Sequence, residues 1–153
     1  MAIELDYMEY LTDALAQAAY VTDSTTEFID QSQTGEGDSQ RLGDTSDSEY
    51  RTAQSFILSE FLTVTALEVK LSTIIGSPTG NWTLRIETDN AGAPSGTLAN
   101  ANASIVVTPP SAGNSVKGTF ATPFALNAST TYWLVVNCDN QSTDNRWRIY
   151  SNA

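Results

Sequence analysis

Polar and apolar residues alternate between Gly80 and Asp89: Trp82, Leu84 and Ile86 take one parity, and Thr83, Arg85 and Glu87 the other. A period of two predicts a strand with one buried and one solvated face. Turn chemistry brackets it. Ser77-Pro78-Thr79-Gly80 precedes it and Asp89-Asn90-Ala91-Gly92 follows, with Pro presetting φ and Gly and Asn tolerating positive φ. The period recurs along the rest of the chain. Residues 51–58 set Phe56 and Leu58 on one face, 63–72 bury Leu67, Val69 and Leu71, and 103–108 stop at Pro109-Pro110, which cannot continue a ladder. Strands at 115–121, 131–137 and 146–151 follow, and 27–33 is a candidate first strand. The run from Tyr132 to Val136 is apolar on both faces and predicts a central strand.

Before this region the pattern changes. In residues 4–20, Met8, Leu11, Leu15 and Ala18 recur at spacings of three and four, with Glu4, Asp6 and Glu9 in the first turns, where a helix dipole favours acids. This predicts a short helix that is marginal alone in water and needs a surface to pack on. Residues 1–22 are thus expected to form a helical arm, docking through Tyr7, Met8, Leu11 and Leu15 onto either its own domain or a partner. Residues 23–49 read as an acidic linker, rich in Gly, Ser, Asp and Thr, and residues 50–153 as the β domain. Short strands at regular intervals without helices, about eight in all, predict an antiparallel β-sandwich or barrel.

Charge sharpens this division. The first 60 residues hold thirteen acids against Arg41 and Arg51, a net −11, while residues 61–153 hold five of each sign. No basic stripe is present to displace counterions from phosphates, so nucleic acid is not an expected partner. The one cysteine, Cys138, follows Val135 and Val136 and reads as a buried thiol; it allows no internal disulfide. No stretch is long and apolar enough for a membrane span, and no basic segment with an apolar run opens the chain. Membrane insertion is not expected, and the protein is expected to be made soluble in the cytoplasm.

Histidine is absent, which removes Ser-His-Asp and Cys-His nucleophile systems and histidine-rich metal sites. No Gly-rich loop joins a strand to a helix, so phosphate-binding folds are excluded. Paired carboxylates remain, but the sandwich offers only Glu60, Glu68, Glu87, Asp89, Asp139 and Asp144, and the last three lie in turn-like surroundings where acids serve the turn. No enzymatic activity and no cofactor are expected. Asp44, Asp47 and Glu49 are the candidate calcium ligands, without the order of an EF-hand loop. Trp147 and Tyr150 flank Arg148, and Asn140, Gln141 and Asn145 stand nearby, a candidate glycan contact; against it, Trp82, Trp133 and Trp147 all fall where a core would claim them.

Several segments in order carry a family resemblance: Ala53-Gln54-Ser55-Phe56, Gly76-Ser77-Pro78-Thr79-Gly80, Leu84-Arg85-Ile86-Glu87-Thr88-Asp89, Gly92-Ala93-Pro94-Ser95-Gly96-Thr97-Leu98 and Thr131-Tyr132-Trp133-Leu134-Val135. Together, over residues 50–138, they resemble the jelly-roll-like β-sandwich module of the choice-of-anchor type, found in bacterial surface proteins and in structural proteins of tailed phages. The resemblance implies a jelly-roll-like fold and defines no catalytic residues. The bacterial surface members have a secretion signal and an anchor, and this sequence shows neither. The expectation is therefore a virion structural or accessory protein, assembled in the host cytoplasm as capsid decoration or tail component. Its partners would be other virion proteins or further copies of itself. The alternative is an adhesion module that binds a surface glycan or host receptor.

Overall fold

The strand Leu62–Ile75 organises one of two antiparallel sheets, and the strand Thr131–Cys138 organises the other. The computed structural model describes residues 18–23, 26–31, 38–42, 51–109, 115–140, 142 and 144–151. Among these, eleven strands and no helix are present: β1 Ala18–Asp23, β2 Thr26–Gln31, β3 Asp38–Leu42, β4 Arg51–Ile57, β5 Leu62–Ile75, β6 Trp82–Asp89, β7 Pro94–Leu98, β8 Ser104–Val107, β9 Ser115–Leu126, β10 Thr131–Cys138 and β11 Arg146–Ser151.

β5 is fourteen residues long because it serves three partners in turn. β1 pairs with its first half, β9 with Leu62 to Lys70, and β11 with Leu71 to Ile75; β2 then extends the sheet beyond β1, and β3 beyond β11. In the second sheet β10 lies between β4 and β6, as its two apolar faces predict, and β7 and β8 share the far edge of β6. One core lies between the sheets. Val64, Leu67, Val69, Leu71, Val116, Phe120 and Ile149 face Trp82, Leu84, Ile86, Leu134, Val136 and Cys138 across it. The pair Trp82 and Trp147 joins the two sheets edge-to-face at 5.5 Å, a favoured aromatic geometry. Gly118 on β9 lets β8 close one side: a Cβ there would stand 2.9 Å from both Ile105 Cγ2 and Val107 Cγ1.

The all-β, β-sandwich-like expectation thus holds, and three strands exceed it. β1 takes residues 18–22 out of the expected helical arm and Asp23 out of the linker, because Ala18 to Val21 pair with β5 on one side and residues 19–23 with β2 on the other. Such pairing overrides a weak local helix preference. β3 occupies part of the expected linker and pairs with β11, its Leu42 reaching the core. β7 lies in what reads as turn sequence and forms a hairpin with β6. The remainder of the arm, residues 1–17 with Tyr7, Met8, Leu11 and Leu15, lies outside the described residues, as do Asp44, Asp47 and Glu49.

Candidate functional site

Among the described residues, two places gather polar side chains from distant parts of the sequence. The first is at the sandwich end where the 76–81 and 139–145 loops meet. Ser77 N–H donates to Asn145 Oδ1 (2.8 Å), Asn140 Nδ2 to Thr79 Oγ1 (2.7 Å), and Asn81 N–H to Asp139 Oδ1 (2.7 Å). Ser77, Thr79, Asn140, Ser142 and Asn145 line a cleft of about 130 Å³ between them. Asn140 and Asn145, two of the amides that stand near Trp147 and Tyr150 in sequence, line this cleft, and Gln141 lies outside the described residues. The lining groups bond mainly to one another, so the cleft reads first as a zipper between two loops.

Cys138 lies next to this zipper, its thiol donating to the Asn140 carbonyl (2.9 Å). Burial pushes its pKa above the ordinary value; the Asn140 contact lowers it, and the nearby Asp139 carboxylate adds to the rise. It is a buried thiol, as the sequence predicts.

The second place is the outer face of the β4-β10-β6-β7 sheet. Here the alternation of β6 breaks. Glu87 has outward parity, yet it is 0% exposed. Arg51 Nη2 donates to Glu87 Oε1 (2.9 Å) and Oε2 (2.8 Å), and Gly96 N–H to Oε2 (2.7 Å). Arg85 Nη2 lies 3.3 Å from Oε1 and donates to the Gly96 carbonyl (3.0 Å). A carboxylate can be buried only with such partners. Gly96 has φ +80°, a region that costs other residues strain, which lets its N–H and carbonyl serve Glu87 and Arg85 at once.

Register explains how Arg51 reaches so far. It pairs with Asn137, whereas Glu87 pairs with Trp133, so the path from β4 to β6 crosses β10 at Val135. Val135 faces outward and is nonetheless fully buried, consistent with the arginine stem lying over it. Trp133 stands in the next row, half-buried, between Ser55 and Glu87. Its Nε1 donates to Asp89 Oδ1 (2.8 Å), and Gly92 N–H donates to Asp89 Oδ2 (3.2 Å).

The expected glycan trio does not come together. Neighbouring residues of a strand point to opposite faces, so Trp147 enters the core at 2% exposure while Arg148 and Tyr150 lie on the outer side of β11. Lys70 Nζ lies 5.5 Å from the centre of the Tyr150 ring. Trp82 is buried as expected, but Trp133 is not a core residue: parity sends Tyr132, Leu134, Val136 and Cys138 inward and Trp133 out. A run that is apolar on both faces carries no signal for which parity is the outer one. No protein-family model, curated protein or solved structure matches the chain, so its own geometry has to carry the functional reading.

Proposed function

We propose that this chain is a non-enzymatic virion structural or accessory protein, a jelly-roll-like β-sandwich that docks through residues 1–17 on a capsid or tail lattice and is displayed outward. One observation carries the reading. β1, which leads residues 1–17 into the body, is hydrogen-bonded to β2 on one side and to β5 on the other. A load on a docked segment would be received by two backbone ladders of a sheet. The carboxylates of the body support a scaffold role as well: Glu87, Asp89 and Asp139 each hold another part of the structure.

Two measurements test this. Particles purified from a lysate of the source culture should contain the chain in regular stoichiometry. Deletion of residues 2–17, which leaves β1 whole, should then abolish incorporation while the thermal melt of the body is retained. Absence of the chain from particles, or full incorporation of the deletion variant, would refute the proposal.

A second reading, an adhesion module for surface glycans, is favoured by the indole of Trp133, held by Asp89 on an outward sheet face. On this reading the sugar platform is Trp133 and not Trp147.

A further inference from the structure

Trp133 is hydrogen-bonded through its backbone to β4 and β6, so the surface it exposes belongs to the indole. The Asp89 contact sets the tilt of the ring, and Asp89 is itself held by Gly92, with both carboxylate oxygens occupied by N–H donors. In the same row, the cross-strand partner of Trp133, Glu87, receives the guanidiniums of Arg51 and Arg85. Two arginines against Glu87 leave one positive charge in excess within this trio, while the Asp89 carboxylate stands apart from it at the indole Nε1. Arg51 keeps 41% of its side chain exposed and Arg85 24%, whereas Glu87 keeps none, so the solvent-facing part of the trio is cationic. Both arginines make these bonds through Nη2, and a guanidinium carries five donors in a planar fork.

The face therefore presents a fixed apolar plane beside two guanidiniums already held in place. Its complement is a ligand with an apolar face and a carboxylate beside it. A pyranose bearing a carboxylate has that form: its C–H face stacks on an indole, and its carboxylate suits a guanidinium fork. We propose that this outer face binds acidic saccharides, with Trp133 stacking the sugar ring and Arg51 and Arg85 taking the carboxylate. Glu87 is a positioning residue that holds the two guanidiniums. The inference rests on the adhesion reading and gives it a ligand class. Fixed side chains favour such binding because little ordering cost is left at the moment of contact.

The test is calorimetric titration of the full chain with oligogalacturonate and with its methyl ester, which keeps the ring and removes the charge, beside an array of neutral and acidic glycans. Oligogalacturonate should bind at least about tenfold more tightly than the ester, the scale expected for losing a charge-assisted contact. Trp133→Ala should abolish binding of both. Arg51→Lys, which keeps the charge but loses the planar fork, should weaken the acid about tenfold and leave the ester unchanged. A thermal melt establishes that each variant is folded. Equal affinity for acid and ester overturns the acidic-saccharide inference and leaves the adhesion reading standing. Binding that survives in folded Trp133→Ala overturns the site. An array with no signal at all overturns the adhesion reading and the inference together.

Discussion

Arg51 Nη2 and Glu87 Oε2 lie 2.8 Å apart although 36 residues separate them in sequence. The pair ties the edge strand β4 to β6 across the whole width of β10. Removing Arg51 leaves Glu87 buried with Arg85 and the Gly96 N–H as its remaining partners. Arg51→Ala should cost about 1–3 kcal/mol in urea unfolding, less than for a buried charge left wholly alone because two partners stay. The double variant Arg51→Ala, Glu87→Ala should be less destabilised than the sum of the singles by at least about 0.5 kcal/mol. Additive losses would show that the two side chains do not act as a pair.

The β6-β7 hairpin turns on Ala91 and Gly92, with Asn90 and Ala93 exchanging backbone hydrogen bonds at 2.8 and 3.2 Å. Both central residues have positive φ, 53° and 84°, the arrangement of a type I′ turn. Alanine is strained there. Ala91→Gly or Ala91→Asn should stabilise the protein by about 0.5–1 kcal/mol, read as a rise in melting temperature. An unchanged or lower melting temperature in both variants would contradict this turn geometry.

Gly118 faces Ile105, Val107 and Leu84 where β8 meets β9. A methyl group there has to displace side chains anchored on another strand. Gly118→Ala should therefore destabilise by about 1–3 kcal/mol, in spite of alanine's better backbone entropy. A neutral result in chemical denaturation would mean that the close approach of β8 and β9 is not present in solution.

Burial raises the pKa of Cys138, so the folded state holds its thiol proton at pH values where the unfolded chain has released it. The unfolded state then binds fewer protons, and stability falls with pH. The contribution is complete below the ordinary thiol value of 9.0 and is lost as pH rises from there through the raised folded value. The urea midpoint of the wild type should decline more steeply above pH 9 than that of Cys138→Ala. Parallel declines would place the effect elsewhere.

Local pattern revealed what local pattern decides. The Trp82, Leu84, Ile86 stripe, the central position of β10 and the buried Cys138 were legible because alternation and apolar runs report burial directly. β3 was not legible: Asp-Ser-Gln-Arg-Leu is loop composition, and its ladder exists only because β11, more than a hundred residues later, lies beside it. Residues 18–20 satisfied a helical spacing until β5 offered a better partner. The outer-face site was hidden for a similar reason. Glu87 read as a solvated position because nothing near it in sequence announces Arg51, and Trp133 read as core because its run is apolar at both parities. The only local hint lay in Gly96, a glycine nine residues from the carboxylate it caps.

The three partners of β5 also set an order of events during synthesis. β5 is complete at Ile75, yet β9 ends at Leu126 and β11 at Ser151. Pairing over such separations makes folding slow, since loop closure precedes the gain from contact. On the ribosome, Leu71 to Ile75 would wait, unpaired, for the arrival of β11. A chain stalled or cleaved before Arg146 would present that stretch as an open apolar edge, a ready nucleus for aggregation.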